Sequence, residues 1–173
     1  MKPFQHSSPL SLHNCWCLIL TLVLFNNNPQ ATGVTCGDEI PHSFESFKLQ
    51  KGEFKGVTFI TYKLNEKKTQ IVIDKIGEVG QTYDDLVATL PEDDCRYAAV
   101  DIKFSTSDGR ETSKLVFLTW VPDTAKIRAK MLYAGSKKVL QSELNGIGIQ
   151  INANDFSDLD FESVIKPEVS KYA

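Results

Sequence analysis

Trp120-Val-Pro-Asp-Thr-Ala-Lys-Ile-Arg-Ala-Lys-Met-Leu-Tyr-Ala-Gly-Ser-Lys-Lys-Val-Leu-Gln-Ser-Glu-Leu-Asn145 is the longest helical pattern in the chain and its most basic stretch. Lys126, Arg128, Lys130, Lys137 and Lys138 stand against Asp123 alone between positions 123 and 138, while the whole chain carries −3. At about 100° per residue, Ala125, Ala129, Leu132 and Tyr133 share one side of this helix. Ile127, Met131 and Ala134 share the opposite side, with Arg128 and Lys130 at its borders. A surface helix ordinarily shows one apolar stripe; this one shows two, separated by cations. Either both strips are buried and the cations reach out along their stems, or one packs on a sheet and the other is an apolar interface with a charged rim. Pro122-Asp123 opens the pattern, with Asp123 or Thr124 as the expected N-cap.

Outward from this helix the pattern is that of one α/β domain. Upstream, 114–121 is a nearly continuous apolar strand, which predicts burial on both faces. A polar hairpin loop centred on Asp108-Gly109 joins it to a strand over 95–104. Before these come a helix over 83–90, introduced by Thr82 and stopped by Pro91, a hairpin of strands over 57–64 and 69–76, and a helix over 38–49. Downstream, Gly146-Ile-Gly148 turns into a short strand at 149–151. A final helix runs from Leu159 to about Ile165, capped by Ser157 or Asp158 and ended by Pro167. The expected order is α-β-β-α-β-β-α-β-α, a central mixed sheet of about five strands flanked by helices.

The 173 residues suit one domain with a full core. The mildly acidic balance gives no hint of general nucleic-acid binding. Cys36 and Cys95 are far apart and read as free thiols, so a reducing compartment is expected. Enzyme chemistry finds little support. His42 is the only histidine after residue 31, and there is no phosphate-binding P-loop and no H-E-x-x-H. Asp155, Asp158, Asp160 and Glu162 do not match a calcium loop, and helix capping explains the first two of them more simply. No metal, cofactor or catalytic residue is expected.

Residues 1–31 differ from the rest. Lys2 is their only charge, and Cys15–Phe25 is an apolar run too short to span a membrane as a helix. Its length suits a secretion-signal core, although the flanks fit poorly. Read-through of a pyrimidine-rich intron end is a second account of the Leu/Ser/Phe/Pro bias. Either way, 1–31 is an extension outside the fold, and 32–173 is the domain.

Residues 32–173 resemble the actin-depolymerising factor/cofilin family along their length. The segments that carry this are Thr32-Gly-Val34, Leu90-Pro-Glu-Asp-Asp-Cys-Arg-Tyr-Ala98, Phe117-Leu-Thr-Trp-Val-Pro-Asp-Thr-Ala125, Arg128-Ala-Lys-Met-Leu-Tyr-Ala134, Leu144-Asn-Gly146 and Asp155-Phe156. The resemblance implies a single ADF-homology (cofilin-like) domain. Such a domain acts as a monomer, binds actin monomers and filaments with preference for the ADP form, and promotes filament depolymerisation and severing in the cytoplasm. It implies actin contacts at Thr32, Gly33, Val34, Ile127, Arg128, Lys130 and Met131. A filament-only surface is implied at Arg110, Lys114, Lys166 and Lys171, with phosphoinositide binding through overlapping cations. Thr32 stands where the family often has a phosphorylated serine; an added phosphate there would weaken binding to an acidic surface.

Departures from the family temper this. Thr112 replaces a common basic residue two positions before Lys114. Gln141-Ser142-Glu143 replaces a cationic run, and the basic insertion of vertebrate members is absent between Lys51 and Gly56. Thr112 and the thinned basic run favour, as the alternative, an actin-monomer or phosphoinositide binding module with weak severing, although the lost run argues against strong phosphoinositide binding. A secreted protein reusing the fold is a third reading. A chain starting at Thr32 is expected to bind actin better than the full chain.

Overall fold

A computed structural model describes residues 33–105 and 109–172. Within them the strands are β1 (Thr35–Cys36), β2 (Phe59–Leu64), β3 (Gln70–Ile76), β4 (Arg96–Ser105), β5 (Glu111–Trp120) and β6 (Ile149–Ala153). The α-helices are α1 (Glu39–Lys48), α2 (Tyr83–Thr89), α3 (Ile127–Glu143) and α4 (Lys166–Ser170). The strands form one mixed sheet in the order β1-β3-β2-β4-β5-β6. The β2–β3, β2–β4 and β4–β5 pairs are antiparallel; β1–β3 and β5–β6 are parallel. Parallel neighbours cannot be joined by a tight turn, and α3 is the crossover that carries the chain from β5 to β6.

Strand side chains alternate between two cores. Tyr97, Ala99 and Phe117 point to the face covered by α1 and α3, where Ile40, Phe44, Phe47, Ala129, Tyr133 and Leu140 pack. Ala98, Val100, Val116, Leu118 and Trp120 point to the other face, under α2 and the C-terminal segment with Leu86, Ile165 and Val169. Burial on both faces explains the unbroken apolar run in β5, whose residues 116–120 are all buried.

Three expectations need correction. The sheet has six strands, not five, because β1 was missed. It is two residues long, too short to show a period, and its pairing comes from the Thr35 N–H to Thr69 O (3.0 Å) and Gly37 N–H to Ile71 O (2.8 Å) bonds. The long helix begins at Ile127 with Lys126 at the cap position, not at Asp123 or Thr124. The Thr124 hydroxyl instead donates to the Glu92 carbonyl, and the Ala125 N–H closes a turn on Pro122 O at 3.0 Å. The C-terminal segment is not one helix ended by Pro167. A 3₁₀ turn over Phe156–Leu159 and a π turn over Phe161–Ile165 precede α4, capped by Asp155 and Asp160 rather than Ser157 or Asp158. Pro167 sits in the first turn of α4, where its missing N–H costs nothing.

An ion-pair chain ties β2, β3 and β4 together. Asp74 accepts from Lys63 (2.6 Å) and Arg96 (2.9 Å), and Arg96 also reaches Asp94 (2.5 Å). Burial pushes the Asp74 carboxyl up, but the hydrogen bonds and charges of Lys63 and Arg96 outweigh it and hold the carboxyl below its usual range. A depressed carboxylate contributes stability that is present above its unfolded value, about 4, and is lost as pH falls through its folded value. Melting temperatures of the chain are therefore expected to fall as pH drops below about 4, and to fall less steeply in Asp74→Asn.

Candidate functional site

The N-terminal half of α3 is held from two directions. Behind it, the Trp120 indole N–H donates to Pro91 O at 2.7 Å, and with the Thr124–Glu92 bond this fixes the turn that leads into the helix. Beneath it, Ala129 and Tyr133 are buried, and the Tyr133 hydroxyl accepts the Leu64 N–H at 3.1 Å. The Tyr97 hydroxyl donates to the Tyr133 carbonyl at 2.5 Å, and the two rings lie 4.8 Å apart. These contacts set the rotation of α3, so the opposite strip must face solvent. Ile127 is 77% exposed and Met131 70% exposed, with Ala134 exposed beside them. The arrangement with both strips buried is thereby excluded.

Arg128 is exposed and Lys130 partly so, its ammonium 3.1 Å from Asp123. That pair is open to water and worth about 0–1 kcal/mol, so Lys130 can exchange it for another partner at little cost. Lys126, counted among the cations of the stretch but not placed at the site, is exposed at the cap position next to Ile127. Lys126, Arg128 and Lys130 thus crowd the N-terminal end of a helix whose first turn holds no acid. The helix dipole is positive there, so cations are disfavoured. An acidic partner surface would relieve that repulsion and let Ile127 and Met131 bury their apolar area.

The N-terminal approach to the site is divided. Gly33 is exposed with φ +66°, a left-handed conformation suited to glycine. Val34 is fully buried in the core beneath α3 and anchors β1 rather than presenting its side chain. Thr32 lies outside the described residues.

The second cationic group is divided between the β4–β5 hairpin and the C-terminal segment, which share a core on the other face of the sheet. Lys114 is register partner of the buried Ile102 on the β4–β5 hairpin, and Ile102 shares its core with Ile165 and Val169 of the C-terminal segment. Arg110 lies next to the hairpin tip, whose residues 106–108 are outside the described residues. Lys166 and Lys171 are engaged locally, with Glu162 (2.7 Å) and Glu168 (2.5 Å).

His42 is exposed. Burial pushes the Cys36 thiol up to about 12 and the Cys95 thiol up to about 11, so neither supplies a thiolate at neutral pH. A cleft of about 650 Å³ beside Tyr83, Asp101 and Phe161 is lined by no His, Cys or Ser. No group of three or more His, Cys, Asp or Glu among the described residues is placed to hold a metal, and no helix there is long and apolar enough to cross a membrane.

Comparison with known proteins is consistent across sequence and structure. A family model described as cofilin/tropomyosin-type actin-binding protein matches residues 33–167. Cofilin of Yarrowia lipolytica is 45% identical over 136 residues, covering 78% of this chain and 86% of that protein. Actin-depolymerizing factor 6 of Oryza sativa subsp. japonica is 42% identical over 134 residues, covering 78% of this chain and 94% of that protein. The crystal structure of Streptomyces griseoflavus cofilin superposes with a TM-score of 0.70 at 35% identity, covering 79% of this chain and 97% of that one. The solution structure of ADF/cofilin from Trypanosoma brucei gives 0.62 at 30% identity, covering 82% and 97%.

Proposed function

The chain belongs to the cofilin/actin-depolymerising-factor family, with the ADF-homology fold, and from that premise we propose that it binds actin through Ile127, Arg128, Lys130 and Met131 with Gly33 alongside. The observation that carries this reading is the exposed Ile127–Met131 strip with its rim of cations at a helix N-terminus. That is the composition of an interface centre and rim, and its charge fits an acidic partner. On this reading the protein is an actin-binding regulator rather than an enzyme. It works as a monomer in the cytoplasm, engages actin monomers and filaments with preference for the ADP form, and promotes depolymerisation and severing. Residues 1–31 are an extension outside the domain, and Thr32 is the phosphorylation position.

Two observations favour weak severing as a second reading. Thr112 leaves the hairpin one cation short, and Lys166 and Lys171 already hold Glu162 and Glu168. These exposed pairs cost little to break, but they lower the net positive charge that a filament, or a phosphoinositide headgroup, would meet. The test is to measure monomer binding, filament pelleting and severing seen by microscopy on the same preparation. Monomer binding with pelleting and frequent cuts is expected; binding with few cuts supports the second reading instead. Binding to neither form of actin refutes the function.

A further inference from the structure

We propose that the cleft beside Tyr83 and Phe161 takes an extended segment of a partner protein that carries a basic side chain. This goes beyond actin binding, uses none of the residues assigned to actin above, and stands or falls without it.

The cleft lies where the sheet is left one strand short. The β2–β4 ladder pairs Phe59 with Val100, and its outermost rung is the bond from the Asp101 N–H to Thr58 O at 2.8 Å. β4 runs on to Ser105. The chain before Thr58 turns away instead, with the Val57 N–H closing on Phe54 O at 3.2 Å. Main-chain groups two residues apart along a strand face the same way. Those of Lys103 therefore face the side that β2 has left, and among the described residues no strand continues the ladder there. Gly56, Gly80 and Lys103 border the resulting space of about 650 Å³, a size typical of binding clefts. An unpaired strand edge is a template for another chain. Strand addition draws affinity from main-chain bonds and selectivity from side-chain pockets.

The walls of this pocket are already in place. The Thr58 hydroxyl donates to Gln81 O at 2.7 Å and the Tyr83 hydroxyl to Leu159 O at 3.0 Å, and the Tyr83 and Phe161 rings lie 5.7 Å apart. Beside Gly56, Val79 adds an apolar side chain that is 72% exposed. Charge selects the occupant. Asp84, Asp101 and Glu162 line the cleft against one cation, Lys103. Glu162 already holds Lys166 at 2.7 Å, so Asp84 and Asp101 set the sign. An arginine or lysine side chain meets both demands, its stem against the aromatic wall and its head at the carboxylates.

Amide NMR of the isotope-labelled full chain tests this with two acetylated, amidated peptides, Val-Thr-Arg-Thr-Val and Val-Thr-Glu-Thr-Val, and with arginine amide alone. The arginine peptide is expected to shift the Gln81, Tyr83 and Lys103 amides saturably, and the glutamate peptide to bind at least about tenfold more weakly. Asp84→Asn/Asp101→Asn, checked for fold by its melt, is expected to weaken the arginine peptide by about tenfold. The absence of a saturable shift overturns the proposal, as do shifts centred on Ile127 and Met131. Equal binding of the two peptides by the parent chain overturns it as well, and that comparison needs no variant to fold. Arginine amide bound as tightly as its peptide also overturns it, because a small cation rather than a strand would then be the occupant.

Discussion

Arg128→Ala combined with Lys130→Ala is expected to weaken actin binding by at least about tenfold while leaving the fold untouched. A charged group desolvated at an interface costs about 2 kcal/mol or more when truncated, and far less at a wet rim. Two rim losses of about 0.7 kcal/mol each make about 1.4 kcal/mol, or one power of ten in Kd, and complete desolvation of both cations by the partner would raise this towards three. The fold should not notice. Arg128 is exposed and Lys130 pairs, among the described residues, with the water-exposed Asp123, and removing cations from a helix N-terminus relieves the dipole. Monomer titration and filament pelleting, run beside thermal melts, check the result. Unchanged binding would remove α3 from the interface.

Tyr133→Ala is expected to show the opposite pattern, a large loss of stability. Tyr133 is 3% exposed, and truncating a buried aromatic of this size costs about 3–5 kcal/mol. The substitution also strands the Leu64 N–H, which the Tyr133 hydroxyl accepts at 3.1 Å; an unsatisfied buried donor costs about 1–3 kcal/mol. Against a total stability of about 5–15 kcal/mol this is a substantial fraction. The melting temperature should fall by roughly 10 °C or more. Tyr133→Phe isolates the hydroxyl and should lose only about 1–3 kcal/mol. Denaturant melts of the two variants separate packing from hydrogen bonding. If the alanine variant melted like the parent, Tyr133 would not be what sets the rotation of α3.

Much of this was legible in the sequence because periodicity is local. The two strips of α3 can be read from the spacing of Ala125, Ala129 and Tyr133 against Ile127 and Met131, and the doubly buried β5 from its unbroken apolar run. The cations bordering Ile127 and Met131 marked that strip as the one to face solvent; what holds it there was not legible, because that depends on Tyr97 and Leu64, which lie 36 and 69 residues away along the chain. β1 was not legible because two residues carry no period and its existence depends on β3. Asp123-Thr124 misled because a side chain with good capping chemistry can be spent elsewhere, as Thr124 is on Glu92. Pro167 misled in the same way, since a proline that stops one helix can start the next. The neutralisation of Lys166 by Glu162 could have been anticipated from their four-residue spacing, had the segment been recognised as helical up to that point.

The parallel pairing of β5 with β6 has a consequence for how the molecule is assembled. The β2-β3 and β4–β5 hairpins join strands that follow one another along the chain, so their closure brings few residues into order at once. β6 can pair only after a long connection has wrapped across the sheet, and closing such a loop is the slow, entropically costly step. That connection is α3. α3 takes its rotation from Leu64 on β2 and Tyr97 on β4, so the apolar strip is displayed in its final geometry only once the strands beneath the helix are paired. A nascent or damaged chain with its sheet unfinished has no such surface to offer. Competence to bind is in this sense a certificate of complete folding, issued by the same helix that does the binding.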